Sequence, residues 1–107
     1  MKLPCAHCHA GARTKERAGF PTAAICGECH KNAKFVAPRR IYTLPDFVFF
    51  SHGRHAAAGL KCDACHGDVA AADVVTKQAA MNMSWCVNCH KSSHAAVTCT
   101  ACHELSQ

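Results

Sequence analysis

The 107 residues contain no run of about 18 apolar residues, the least that a membrane-spanning helix needs. They also lack the charged start and apolar stretch of a secretory leader. Aromatic residues are few, with five Phe, one Tyr and one Trp. A chain this short and this poor in large apolar side chains has only a modest core of its own. Acidic residues number seven against twelve Lys and Arg, giving a formal charge of +5. The basic residues, Arg13, Lys15, Arg17, Arg39, Arg40, Lys61 and Lys91 among them, are scattered rather than gathered into the cluster that a nucleic acid requires. No alternating βαβ pattern accompanies the cysteines, which argues against a thioredoxin-like dithiol. Finally, no cysteine stands outside one repeated motif.

What the chain has in excess is cysteine, ten in 107 residues. They fall as Cys5 and Cys8 before His9, Cys26 and Cys29 before His30, Cys62 and Cys65 before His66, Cys86 and Cys89 before His90, and Cys99 and Cys102 before His103. All five are C-x-x-C-H. A disulfide framework needs no histidine after each pair. Zinc ribbons use two C-x-x-C pairs per metal, which leaves one of five unmatched and every histidine redundant. The pattern fits covalent haem c: two thiols join the two vinyl groups of one porphyrin, and the next histidine reaches the iron as proximal ligand. The expected cofactor is five covalently bound haems c, with His9, His30, His66, His90 and His103 on the irons.

Five haems leave about 21 residues each (107 divided by 5), too few to wrap a haem in a helical sandwich. The expected fold is small, mostly coil with short α-helices at the motifs, with stacked haems as the core. The propionates, about two per haem, offset the positive charge, so the loaded protein is expected near neutral and no nucleic-acid partner is expected. The longest gap between motifs, His30 to Cys62, holds Pro38, Arg39, Arg40, Pro45 and the run FVFF (Phe47–Phe50). It divides a single domain into a dihaem segment, about 1–38, and a trihaem segment, about 46–107. The halves read as a weak repeat, CAHCHAGARTKERAGFPTAAICGECHK against CDACHGDVAAADVVTKQAAMNMSWCVNCHK. The FSHGRH that precedes the second half would have its counterpart before residue 1, so an upstream segment carrying a leader, an anchor or a further histidine pair is expected. Ala70–Ala72 is read as a helical turn and FVFF as a short extended piece.

Four histidines remain beyond the proximal five: His7, His52, His55 and His94. Beside irons that need sixth ligands, His52, His55 and His94 are read as distal ligands. His52 and His55 lie three apart on one side of a helical turn, so each can serve a different haem. His52 is expected over the haem of His66, and His55 over a second haem, that of His103. His7, inside its own motif, cannot turn to its own iron and is a candidate for another. Four histidines leave one iron short, and Met83, or failing it Met81, is the thioether candidate; both also read as residues packed on haem. Trp85, Phe20, Phe35, Phe47, Phe49 and Phe50 are read as haem packing. Asp46, Asp63 and Asp68 are read as turn caps or partners of proximal imidazoles.

The string LPDFVFFSHGRHAAAGLKCDACHGDV, followed by MNMSWCVNCHK, resembles the pentahaem cytochrome subunit of alternative complex III, a bacterial membrane quinol oxidoreductase, and related class III-like multihaem cytochromes c. Phe50, Ser51, His52 and His55 match the family's FSHxxH element, whose two histidines cap two different haems. Met83, Trp85 and Cys86 match its M-x-W-C, and the opening CAHCHAGARTKERAGFPTAAICGECHK resembles its first haem pair. The likeness covers nearly the whole chain and departs at the front, where the family carries another histidine pair and often an anchor. It implies electron transfer along closely packed haems rather than catalysis. The implied partners are membrane-bound quinol oxidoreductase subunits or other cytochromes, and the implied place is outside the cytoplasm, in the periplasm or on the extracellular face. Membrane contact would come only through an N-terminal segment or a partner. Two other readings stand beside it: a homo-polymeric extracellular filament, in which a neighbouring copy supplies the missing ligand, and a multihaem reductase with one open iron. The reductase is disfavoured because no lysine replaces a proximal histidine and the chain is too short for a substrate pocket.

Overall fold

The computed structural model describes residues 3–32, 34 and 36–104. Six short α-helices and one 3-10 turn are strung along coil: α1 (Cys5–Cys8), α2 (Ala23–Gly27), α3 (His52–Ala57), α4 (Asp63–His66), the 3-10 turn Val69–Ala71, α5 (Met83–Ser92) and α6 (Cys99–Cys102). Among the described residues there is no strand, only an isolated antiparallel bridge between Val48 and His103. Short helices, mostly coil, is the architecture that the residue count per motif called for.

Five of the six helices coincide with the C-x-x-C-H motifs, and the backbone shows why. In four motifs the histidine N–H closes one helical turn onto the carbonyl of the first cysteine: His9 to Cys5 (2.9 Å), His30 to Cys26 (2.9 Å), His66 to Cys62 (3.0 Å) and His103 to Cys99 (2.9 Å). The fourth motif lies inside α5. A single turn puts residues i, i+3 and i+4 on one face, so both thiols and the imidazole of each motif point the same way. Helices of four to ten residues are not stable alone in water, so something beyond local propensity holds them.

Caps set the boundaries of the longer elements. The Ser51 hydroxyl accepts from the Arg54 N–H (3.3 Å) at the start of α3. The Asn82 side chain accepts from the Trp85 N–H (2.8 Å) at the start of α5. Asp68 accepts from the Ala71 N–H (3.2 Å), so it caps the 3-10 turn, which falls at Val69–Ala71, one residue earlier than the expected Ala70–Ala72. Of FVFF, Phe47 lies in a turn closed by the Val48 N–H on the Pro45 carbonyl (3.0 Å), while Val48 forms the bridge to His103 and the Phe49 N–H donates to the Cys102 carbonyl (2.8 Å), so the extended piece begins one residue later than expected. Phe35 lies outside the described residues.

The polypeptide builds almost no core of its own. Among the described residues Ala79, 5% exposed, is the one buried apolar side chain. The accessible surface is 8885 Å², against about 5,800 Å² for a compact chain of 11.5 kDa. The radius of gyration is 15.7 Å and the extents are 51 × 29 × 23 Å, where a compact domain of this length has a radius near 13 Å. The chain is extended and packs little on itself. No helix among the described residues is long and apolar enough to cross a membrane.

Candidate haem sites

The donor set is best read from the imidazole rings. The nearly parallel rings of His52 and His66 lie with centroids 6.4 Å apart and planes 9° apart. Two imidazoles bound on opposite sides of one metal need about 2.0 Å from metal to nitrogen and roughly another 1.1 Å to each ring centre, which places their centres about 6.2 Å apart. Contact stacking would bring them much closer. His55 and His90 form a second facing pair at 6.1 Å, with planes 51° apart. Among the described residues no three His, Cys, Asp or Glu side chains converge as a directly chelated metal requires. The donors come as facing rings with a cysteine pair beside one of them, and the residues fit haem c.

The tautomers agree. A carbonyl oxygen can only accept, so each ring nitrogen that meets one must donate. His9 Nδ1 donates to the Gly19 carbonyl (2.6 Å), His52 Nδ1 to Glu16 (2.9 Å), His55 Nδ1 to Ser51 (2.8 Å), His90 Nδ1 to Ala96 (2.6 Å) and His103 Nδ1 to Phe47 (3.1 Å). With the proton fixed on Nδ1, each leaves Nε2 with its lone pair for a metal, and the acceptor makes the ring a better donor. For His66, burial first, and then the nearby His52 and His9, push the imidazole below its ordinary pKa. The shift favours the neutral form of the ring, the form in which an imidazole can bind a metal.

The FSHxxH element works as a unit. Phe50 stacks on the His55 ring (4.5 Å, 25°) and meets His52 edge-on (4.9 Å, 90°), so one aromatic ring fixes both imidazoles. Helix α3 is anchored to the loop after α1 by the His52 N–H to the Glu16 carbonyl (3.1 Å) and the Gly53 N–H to the Lys15 carbonyl (2.8 Å). A Cβ on Gly53 would stand 2.8 Å from the Thr14 carbonyl carbon, so glycine is what permits this approach. The His52 ring lies nearly parallel to that of His66. His55 faces His90 rather than the expected His103, because the Ser51 carbonyl and Phe50 turn its ring that way while the Phe47 carbonyl takes His103.

The cysteines of different motifs lie near one another. A cavity of about 270 Å³ is lined by Cys5 and Cys62 together with Arg13 and Leu60. A smaller cleft of about 120 Å³ opens beside His66, walled by Val69, Ala72, Val74 and Val75. Burial pushes the Cys62, Cys65 and Cys86 thiols up, and neighbouring thiols add to it: Cys5 for Cys62, Cys89 and Cys86 for Cys65, Cys102 for Cys86. These three thiols therefore ionise less readily than free cysteine, and none of the ten cysteines is in a disulfide.

Other candidates are placed differently. His7 turns its Nε2 to the Glu28 carboxylate (2.9 Å), which links the first motif to the second and takes up the nitrogen that a distal ligand would use. His94 is exposed in the turn after α5, with positive φ (56°). Met83 begins α5 with 66% of its surface exposed, one turn before Cys86, and Met81 has φ 53°. His30 is exposed. Among the described residues no second imidazole ring faces His9, His30 or His103. The aspartates cap or begin turns, and none meets an imidazole among the described residues. Tyr42, which the sequence did not single out, donates from its hydroxyl to the Cys65 carbonyl (2.9 Å). A lone tyrosine in a motif-free linker carries no signal that would have identified it.

Comparison with known proteins bears on the same residues. A family model described as cytochrome c7 and related cytochrome c matches residues 48–104, just over half of the chain, which takes in the third, fourth and fifth motifs. A protein of Nitratidesulfovibrio vulgaris described as "Menaquinone reductase, multiheme cytochrome c subunit" is 32% identical over 99 aligned positions, covering 66% of this chain. The chain spans about half (47%) of the length of that relative.

Proposed function

The chain belongs to the family of cytochrome c7 and related cytochromes c, and from that premise we propose that it carries five haems c and passes electrons along them for a membrane quinone-linked oxidoreductase. As a multihaem cytochrome c it is an electron-transfer protein with covalently bound haem. The finer statements are proposals: five haems, the ten motif cysteines as their attachment points, and the five motif histidines as proximal ligands. The observation that carries the reading is the facing pair His52 and His66 at 6.4 Å with parallel planes. We propose His52 as the distal ligand over His66 and His55 as the distal ligand over His90. His94 and Met83 remain candidates for the other irons, and His7 is the weakest of the set because Glu28 holds its Nε2.

Haem c supplies a reversible one-electron change at iron when bound, and the chain's own residues do the rest. One-turn helices aim thiols and imidazole together, carbonyls hold the Nδ1 protons, and Phe50 prevents both distal rings from turning. Little reorganisation is then needed as charge changes. The neighbourhoods of the motifs support a row in the spatial order second, first, third, fourth, fifth. His7 and Glu28 join the first two, the Cys5 and Cys62 cavity joins first to third, α3 spans third and fourth, and Cys86 and Cys102 join fourth to fifth. The Val48 start of the family match supports the division into a dihaem and a trihaem segment.

The partner is proposed from two likenesses. The relative named as a menaquinone reductase subunit points to a quinone-linked membrane complex, and the FSHGRH and MNMSWC strings point to alternative complex III. The place of action is then outside the cytoplasm. Intact mass and low-temperature EPR of the matured, oxidised protein test the haem reading. The expected result is five added haems and a predominance of low-spin iron. A mass with fewer than five haems overturns the count, and a high-spin majority overturns the ligand set. Electron transfer from a quinol analogue through the isolated membrane complex, with and without this chain, tests the partner.

A further inference from the structure

We infer that Tyr42 is the positioning residue for the His66 imidazole, doing at the third motif what a backbone carbonyl does at the other anchored histidines. The inference rests on the ligand reading above. His9, His52, His55, His90 and His103 each have their ring held by an Nδ1–H bond to a carbonyl. Among the described residues no carbonyl takes up Nδ1 of His66. Instead the Tyr42 ring meets the His66 ring edge-on, with centroids 5.1 Å apart and planes 83° apart. A ring edge pressed on an imidazole opposes its rotation about the axis through Nε2, the one rotation that metal ligation leaves free.

The phenol is itself held. Its hydroxyl donates to the Cys65 carbonyl (2.9 Å) and accepts from the Gln78 N–H (2.7 Å) and the Ala79 N–H (3.2 Å). Three bonds use the hydroxyl's full capacity of one donor and two acceptor sites. They tie the linker, α4 and the segment before α5 together at Ala79, the most buried apolar side chain described. At the same place Gly67 (φ 67°) lets the Gln78 side chain approach so closely that a Cβ would stand 2.9 Å from its Cγ. Tyr42 is thus a stiff post, and His66 leans on it.

Two consequences follow. The 9° angle between the His52 and His66 planes is set from one side by the Glu16 carbonyl and from the other by Tyr42. And His66, without an acceptor on Nδ1, is a weaker donor than His90, so the His52/His66 iron has a higher reduction potential than the His55/His90 iron.

The test is low-temperature EPR and a potentiometric titration of the matured protein. In low-spin ferric haem the angle between the axial ring planes sets the splitting of the iron d orbitals, and hence the g values. His52→Met first identifies the signal of the third haem. Tyr42→Leu, with the ring edge gone, is expected to move that signal alone and leave the others in place. Tyr42→Phe, with the ring kept but its anchor lost, is expected to broaden or shift the same signal by less. Both are expected to change the potential of that one haem. If His52→Met changes no signal, the ligand reading itself fails. If His52→Met does and neither Tyr42 variant moves that signal, the inference is overturned, as it is if all signals move together. Should Tyr42→Leu lose haem, Tyr42→Phe decides alone by the same criterion.

Discussion

Replacing Gly53 by alanine is the sharpest test of how the two histidines proposed as distal ligands are held. Gly53 lies between His52 and His55, and its missing Cβ would meet the Thr14 carbonyl carbon at 2.8 Å, the Lys15 nitrogen at 3.0 Å and the Thr14 oxygen at 3.1 Å. All are backbone atoms that cannot swing aside, so α3 must retreat by about 0.6 Å or more to reach ordinary contact. Alanine gains about 0.5–1 kcal/mol in a helix by propensity. Against that, overpacking costs about 1–3 kcal/mol, and the Gly53–Lys15 and His52–Glu16 backbone bonds (2.8 and 3.1 Å) each lose some of about 1 kcal/mol. The net is a destabilisation of about 2 kcal/mol, or a fall in Tm of roughly 8–16 °C for a domain of this size. The retreat also drags the His52 ring from the Glu16 carbonyl, so the EPR signals of two haems change. Gly27→Ala is the control, since Gly27 is helical and nothing lies within 4 Å of its Cβ position; it is expected to be neutral or slightly stabilising. Thermal unfolding followed at the haem absorption, with EPR on the same samples, reads both effects. If Gly53→Ala behaves like Gly27→Ala, the close approach of α3 to residues 14–16 does not hold the distal pair and the reasoning is wrong.

Three further outcomes are expected. His55→Met and His90→Met alter the same EPR signal, because those two rings face each other at 6.1 Å; finding that His55→Met instead changes the signal altered by His103→Met would refute the pairing. His7→Ala leaves the full set of low-spin signals in place, since its Nε2 is held by Glu28; a new high-spin signal in this variant would show that His7 is a ligand. The chain produced without haem attachment shows no cooperative thermal transition by far-UV circular dichroism, because helices of four to ten residues around one buried alanine cannot stand alone; a sharp transition would mean that the polypeptide has a core of its own.

The readable part of the site was read from covalent chemistry, which is local. Five C-x-x-C-H strings declare their cofactor without reference to the fold, because two thiols and an imidazole within five residues always fall on one face of a helical turn. The same locality made the helices predictable, and the low residue count per motif made the scarcity of other structure predictable. The nearness of the His52 and His66 rings was legible because only six residues separate the FSHxxH element from its next motif. The direction of the His55 ring was not. The haem of His103 was one candidate for His55, and its ring lies 6.1 Å from that of His90, since its direction depends on Phe50 and the Ser51 carbonyl, and on where α5 lies, none of which is a property of spacing. The aromatic residues show the same limit: Phe50 was read as haem packing, and its ring lies against two imidazoles.

What the sequence by itself determined, then, is the kind of cofactor and the thin, mostly irregular chain, because each follows from residues within one turn of one another or from how few there are. Tertiary structure alone decided which imidazoles lie together, which distant carbonyls hold the His52 and His103 Nδ1 protons, and where Tyr42, Glu28 and Gly53 make their contacts. Many of those are relations between residues 21 to 56 positions apart. No local pattern records them, because they exist only once the linker and the loop after α1 have been laid against α3 and α4.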